Sequence, residues 1–193
     1  VHVEEVSEQE AAQVGHAQHA LPGVDGLAHH ADLLQAEAGL RGDEAGEDVL
    51  AGRVDDLRAG GHGEARADGG DAPVITGGTL SANTTYTGSL ELLNEAETPV
   101  EVITEEIEEE DDEHQFFFQT NIAGLSVSYE DQDGDGNPVG LTTTLTTTDA
   151  GSGTLTIILR HEPEKNAAGV KDGDPTNAGG ETDIEVSFPV DVQ

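Results

Sequence analysis

Apolar side chains recur at every second position in the later part of this chain, and this period constrains the fold more than any other feature. The clearest case is the C-terminal series Ile184, Val186, Phe188, Val190 and Val192. Earlier series are Tyr86, Leu90 and Leu92; Leu125, Val127 and Tyr129; Leu141 and Leu145; and Leu155, Ile157 and Leu159. Such spacing indicates half-buried antiparallel strands between turns. The sequence therefore predicts an all-β fold, an immunoglobulin-like antiparallel β-sandwich over residues 71–193. Pro189 lacks a backbone N–H, which predicts that the last strand lies at a sheet edge.

One segment departs from this period. Residues 98–101 have Thr at the N-cap, Pro at the first helical position and Glu two residues later, the pattern of a capping box. Apolar residues then follow at helical spacing, namely Val100, Ile103 and Ile107. We predict one inserted acidic helix that ends near Asp112 and packs across a sheet opening, before a strand over residues 114–120.

Residues 1–70 differ in composition from the rest of the chain. They contain no Ile, Thr, Asn, Lys, Phe, Tyr or Trp, and so little large apolar material offsets only part of the entropy cost of ordering the backbone. Residues 4–14 and 28–40 favour helix. We therefore predict a helical or disordered segment ahead of the sandwich, with a domain boundary at residue 70. Within residues 1–70, every residue except Ser7 belongs to an amino acid with codons that can begin with G or C. A GC-rich gene read out of frame gives this bias, so the segment is either frameshifted and non-native or an Ala/Gly/Glu-rich extension.

The charge of the chain excludes several partners. Carboxylates outnumber Lys and Arg by 41 to 7, and the formal net charge is −34. Nucleic acid is disfavoured because phosphate binding needs clustered cations, and no apolar run is long enough for a transmembrane segment. The acidic run over residues 105–113 repels itself at helical spacing, but at about 1 M salt the Debye length falls to about 3 Å. We therefore predict a halophilic surface, with bound hard cations as the alternative.

Several separated motifs after residue 70 occur together in one order. They are TLSANTTYTG at 79–88, ITEEI at 103–107, EHQ at 113–115, RHEP at 160–163 and NAGGETDIEV at 177–186. In this order they resemble a family of small secreted lipoproteins of Bacteroidota-type bacteria, often labelled type 1 periplasmic binding fold proteins. That label implies two α/β lobes, which about 120 strand-rich residues cannot supply. The resemblance covers residues 71–193 and implies an envelope or extracellular location, although the sequence shows no signal peptide or lipobox. It implies no functional residues.

A short acidic loop carries the sharpest local motif. Its oxygen-bearing side chains alternate along the chain: Asp131, Asp133, Asp135 and Asn137. In a Ca²⁺ loop such side chains converge, and Gly makes the turn. The twelfth position is Thr142 rather than Glu, so this is no EF-hand. We predict a Ca²⁺ site here, with a plain hairpin loop as the alternative.

Three weaker candidates remain. The loop over residues 162–182 is long, and its acidic side chains are candidates for ion or ligand binding: Asp172, Asp174, Glu181 and Asp183. Arg160 is predicted to pair with a carboxylate. His16 and His19 have a spacing that permits zinc, with solvated histidines as the alternative.

The sequence contains no catalytic motif, and Cys is absent, so we predict that the protein is not an enzyme. The favoured hypothesis is a non-catalytic envelope or extracellular module, with Ca²⁺ rigidifying its loops. The alternative is a periplasmic carrier of small solutes that binds its ligand at the sandwich end near residues 162–182.

Overall fold

The computed structural model describes residues 33–42, 48–58, 61–62, 74–94 and 97–193. Within these ranges the strands are β1 (Leu33–Gly42), β2 (Asp48–Arg58), β3 (Gly61–His62), β4 (Val74–Leu80), β5 (Thr85–Asn94), β6 (Glu101–Val102), β7 (His114–Thr120), β8 (Leu125–Tyr129), β9 (Thr142–Thr147), β10 (Gly151–His161) and β11 (Glu181–Val192). The helix α1 (Ile103–Glu109) lies between β6 and β7. Two short 3₁₀ turns, Val170–Asp172 and Pro175–Asn177, lie in the β10–β11 connection, residues 162–180.

The strands form two sheets, rich in antiparallel pairs, that share β4. One sheet has the order β4-β2-β1-β5-β9-β8, with β6 beside β5, and the other has the order β7-β10-β11-β4, with β3 beside β11. β4 pairs antiparallel with β2 and parallel with β11. The prediction of an all-β, sandwich-like fold with a single helix is confirmed for the described residues.

The alternating side chains named in the sequence analysis supply most of the core. All five apolar residues of the β11 series are buried, and they belong to one cluster with residues of β5, β9 and β10. The helix adds Ile103 and Ile107, both 0 % exposed. Burying a large apolar side chain contributes about 1.5–3 kcal/mol, so this cluster is the main stabilising contribution of the fold.

A second, smaller cluster lies on the other face of β7 and β10. Phe117 and Ile158 alternate with residues of the main core and pack against Val170 and Ala178 of the β10–β11 connection. All four side chains are buried. The connection therefore folds back over the sheet, and its apolar residues hold it there.

The prediction of a helix over residues 28–40 is wrong for residues 33–40, because these residues belong to β1. β1 pairs with β5 from Leu34 opposite Asn94 to Gly42 opposite Tyr86. The sequence of this segment alternates apolar and polar residues, and long-range pairing overrides a helix-favouring composition. The helix predicted over residues 4–14 lies outside the described residues.

Both sides of residue 70 contribute strands to one sheet, because β1 and β2 lie between β4 and β5. The domain boundary at residue 70 and the origin of the first segment stay predictions.

The prediction of a capping box at residues 98–101 is wrong. α1 begins later, with Val102 as its N-cap and no side-chain cap, because the two residues of β6 pair with the end of β5 instead. Val100, expected on the buried stripe, is 48 % exposed. The turn after the helix leads into β7, whose bounds agree with the predicted strand over residues 114–120.

β11 is not an edge strand, so the prediction from Pro189 is also wrong. β11 pairs with β10 on one side and with β3 and β4 on the other. Pro189 lies after the pairs at Ile184 and Glu185 and before the first pair with β4, at Val190. A Cβ on Gly77 would lie 1.9 Å from the Pro189 carbonyl oxygen, so the Pro189 backbone faces β4 at a position outside the registered pairs.

Candidate metal centre

The paired ends of β7 and β10 bring ionisable side chains together at one end of a sheet. His114 begins β7, His161 ends β10, and the two residues are opposite each other in the antiparallel register. Glu113 precedes the first and Glu162 follows the second. The Glu162 N–H donates to the Glu113 carbonyl oxygen at 2.7 Å. This bond extends the pairing one residue beyond the strands and holds the two glutamates side by side.

Three of these side chains converge. One ligand atom from each of Glu113, His161 and Glu162 lies within 4.8 Å of the other two. His161 Nε2 and Glu113 Oε2 are 3.7 Å apart. Both glutamates are exposed, whereas His161 is half-buried. The group therefore opens to solvent on one side and rests on the protein on the other.

Backbone conformation fixes the position of Glu162. Its φ is 50°, in the left-handed region, and Gly180, with φ 65°, lies against it. A Cβ on Gly180 would lie 2.2 Å from the His161 carbonyl oxygen and 2.9 Å from that of Glu162. Because Gly180 has no Cβ, the end of the β10–β11 connection can pass directly against the backbone of His161 and Glu162.

His114 lies beneath the group. Its ring stacks on that of His161, with centroids 5.0 Å apart and planes at 15°. Its Nδ1 is 3.1 Å from the Glu110 carbonyl oxygen, which can only accept, so Nδ1 carries the proton and Nε2 has a free lone pair. That Nε2 is buried and has no hydrogen-bond partner among the described residues. Burial, the largest cause, lowers the pKa of His114 and keeps the ring neutral.

Asp183 is a second buried polar group at this end of the sheet. It is 2 % exposed, and its Oδ2 has no hydrogen-bond partner within the described ranges. Burial raises the pKa of this carboxyl to about 6, the charge of His161 lowers it, and repulsion from Glu181 raises it further. Burial and repulsion from Glu113 likewise raise the pKa of Glu110, with His161 opposing them. The surroundings of His161 are therefore strongly negative.

Replacing Asp183 by asparagine is expected to stabilise the metal-free protein at pH 7 to 8 by about 2–3 kcal/mol. The folded-state pKa is about 6 against an ordinary 3.8, so the native state binds the extra proton between those values and the buried charge destabilises it above them. The advantage of Asp183→Asn should therefore shrink as pH falls from 6 towards 4. Urea unfolding of the parent protein and of Asp183→Asn, with chelator present, measures this difference in the free energy of unfolding.

The matched control for this prediction is Asp191→Asn. Hydrogen bonds from Ser152 and then Gln193 hold the pKa of Asp191 below its ordinary value, so removing this charge should not stabilise the protein. Equal gains from both variants would show that general charge reduction is responsible, rather than the burial of Asp183.

The loop predicted to bind Ca²⁺ satisfies most of its polar groups internally. The Asp131 carboxylate accepts the Gly140 N–H at 2.7 Å and the Thr142 N–H at 2.8 Å. Asp133 Oδ1 accepts the backbone N–H groups of Asp135 and Asn137.

The four predicted ligands have different exposures. Asp135 is exposed and Asn137 is buried, and the Asn137 Oδ1 has no partner among the described residues. In the part of the chain that the structure describes, Asp131, Asp133 and Asp135 do not converge as a set. Calcium binding by Asp131, Asp133, Asp135 and Asn137 stays a prediction.

Lys165 provides the positive charge in this loop. Its Nζ lies 3.1 Å from Asp133 Oδ2 and also donates to the carbonyl oxygens of Asp111 and Pro138. Burial favours the neutral form of Asp133, but hydrogen bonds from Asn137 and Lys165 outweigh it, so the pKa of Asp133 falls below its ordinary value. The buried ammonium therefore joins the acidic loop, the turn after α1 and the β10–β11 connection.

The other sequence candidates do not form a site with one another. Asp174 Oδ1 accepts the Thr176 N–H and caps a 3₁₀ turn, while Asp183 lies within β11. No ion pair joins Arg160 to a carboxylate among the described residues, and its Nε is buried without a partner. His16 and His19 lie outside the described residues.

The sequence analysis did not select Glu113, His161 or Glu162. A signal was present, because each of the two later histidines has a glutamate next to it, as Glu113-His114 and as His161-Glu162. The two pairs are far apart in the chain, and only the register of β7 with β10 brings them together.

Comparison with protein-family models, curated proteins and solved structures finds no match for this chain. Among the described residues, no helix combines the length and apolar character needed to cross a bilayer.

Proposed function

We propose that this chain is a non-catalytic β-sandwich module of the cell envelope or extracellular space that works in concentrated salt. The family resemblance of residues 71–193 supports the location. The observation that carries the salt dependence is the accumulation of acidic side chains in α1 and in the turn that follows it, with no basic residue in the last turn of the helix.

The charges of α1 destabilise it as a helix. It has seven residues, with Glu105 and Glu106 in its first turn and no basic residue in its last, and the acidic run continues through Glu113. Carboxylates at the C-terminal end oppose the helix dipole, and so short a helix is unstable alone. Ile103 and Ile107 hold it on the core, while screening by salt reduces the repulsion.

The packing of the β10–β11 connection favours a module over the solute carrier. Val170 and Ala178 fill the space against Phe117 and Ile158, and Gln115 Nε2 donates to the Val170 carbonyl oxygen at 2.9 Å. The chain's own residues therefore occupy the region where the carrier hypothesis places a ligand. A solute that raises the melting temperature in a thermal-shift screen would favour the carrier instead.

We expect the melting temperature to rise by about 10 °C between about 0.1 M and about 2 M NaCl, because screening removes repulsion among exposed carboxylates. The double variant Glu108→Gln/Glu109→Gln should melt higher than the parent at low salt and show a smaller rise. Differential scanning calorimetry checks both.

Sorbitol at matched osmolality separates screening from general exclusion of solutes. An equal rise in sorbitol, or an unchanged salt response in the double variant, would contradict the proposed high-salt adaptation.

The calcium prediction is tested in the same apparatus, by adding Ca²⁺ to chelator-treated protein and to Asp131→Asn.

A further inference from the structure

We propose that Glu113, His161 and Glu162 bind a transition-metal dication of the Zn²⁺ type. The site lies at the solvent-facing end of the β7–β10 pair and does not depend on the proposed function of the module. It is distinct from the acidic loop at residues 131–137, for which calcium is predicted.

The chemistry of the ligands selects the class of ion. The group offers one imidazole nitrogen and two carboxylate oxygens. Calcium and magnesium prefer all-oxygen sites, whereas zinc binds histidine nitrogen and carboxylate oxygen in four-coordinate sites. With three protein ligands and two of them exposed, water would complete the coordination.

The spacing of the ligand atoms agrees with this class. Two ligands at about 2.0–2.2 Å from a tetrahedral zinc lie about 3.4 Å from each other. His161 Nε2 and Glu113 Oε2 are 3.7 Å apart, which is too long for a good hydrogen bond. A small shift of the exposed glutamate gives both atoms the separation that a shared ion requires.

Two buried polar atoms near His161 have no hydrogen-bond partner among the described residues. One is Nε2 of His114, a residue that is 1 % exposed and whose ring stacks on that of His161. The other is Oδ2 of Asp183, a residue that is 2 % exposed. Asp183 lies two residues after Glu181, the residue that pairs with His161. Metal-binding histidines commonly have carboxylates and polar groups in a second layer around them, and these two residues would supply such groups beside His161.

The ion would act as a clamp on the fold. Glu113 precedes β7, whereas His161 and Glu162 lie where β10 passes into the β10–β11 connection. Binding would therefore stabilise the open end of the β7–β10 pair and the start of the connection, since an ion that binds only the folded chain stabilises it by mass action.

The test uses the full chain, treated with chelator and titrated with ZnCl₂ in isothermal titration calorimetry at constant high NaCl. The six histidines before residue 71 can add zinc of their own, so the measured quantity is the difference between variants. His161→Gln should remove one bound Zn²⁺ per chain, and Glu162→Gln should weaken that binding at least about tenfold. The matched control Glu164→Gln removes the same charge two residues away and should change neither value.

Histidine ¹H–¹⁵N spectra locate the ion independently of stoichiometry. The His161 ring signals should shift on addition of Zn²⁺, including in the variant His16→Gln/His19→Gln. The proposal is overturned if the His161 signals stay in place, if His161→Gln retains the full stoichiometry, or if Glu164→Gln weakens binding as much as Glu162→Gln. It is also overturned if Ca²⁺ binds these residues as tightly as Zn²⁺, because the group would then be a general acidic attractor.

Discussion

Replacing Lys165 by methionine is expected to lower the free energy of unfolding by about 3–5 kcal/mol, because it leaves a buried charge without its partner. The Asp133 side chain is 0 % exposed and that of Lys165 is 4 % exposed. The ammonium also bonds the carbonyl oxygens of Asp111 and Pro138, so the substitution detaches three segments at once. Urea unfolding at constant salt measures the change.

The chain contains a matched control for this substitution. Lys171 lies in the same connection but is exposed, so Lys171→Met should change the free energy of unfolding by no more than about 0.5 kcal/mol. The double variant Asp133→Asn/Lys165→Met should recover part of the loss, because it removes both charges. A loss below about 1 kcal/mol for Lys165→Met, or no recovery in the double variant, would contradict the ion-pair account.

Replacing Phe117 by alanine is expected to cost about 3–5 kcal/mol as well, since it leaves a cavity under the β10–β11 connection. Phe117 is 0 % exposed and is the only aromatic residue of the second cluster in the described part of the chain. Hydrogen exchange should show that residues 162–180 lose protection before the main core does.

Gln119 of the same strand is exposed, and Gln119→Ala serves as the control, with little expected change. If Phe117→Ala lowers stability but exposes the connection and the main core together, the connection is not a separate cover. It would then be part of a single cooperative unit with the sandwich.

The strands after residue 70 were predictable because a period of two survives in the sequence wherever one face is buried. The β11 series shows this best, since all of its inward residues were identified from spacing alone. Local signals failed where pairing with another strand decided the outcome. The Thr98–Pro99 segment has the letters of a helix start, yet β6 pairs with β5 and delays the helix to Ile103.

The candidate metal site was not predictable for the same physical reason. Glu113 and His161 belong to different strands, and nothing local states that β7 pairs with β10 in the register that places His114 opposite His161. The acidic loop shows the converse case. Its residue types favoured a bound metal cation, but the positive charge beside Asp133 belongs to Lys165, a residue of the β10–β11 connection.

The membership of β4 in both sheets has a consequence for how the molecule assembles. Leu80 lies beside Val192, a residue 112 positions later in the chain. On a ribosome, β4 therefore forms long before β11, its second neighbour, has been synthesised. Pairings of such long sequence separation are slow to form and leave hydrogen-bonding edges uncovered in the meantime. Abundant like charge on the nascent polypeptide keeps separate molecules apart during that interval.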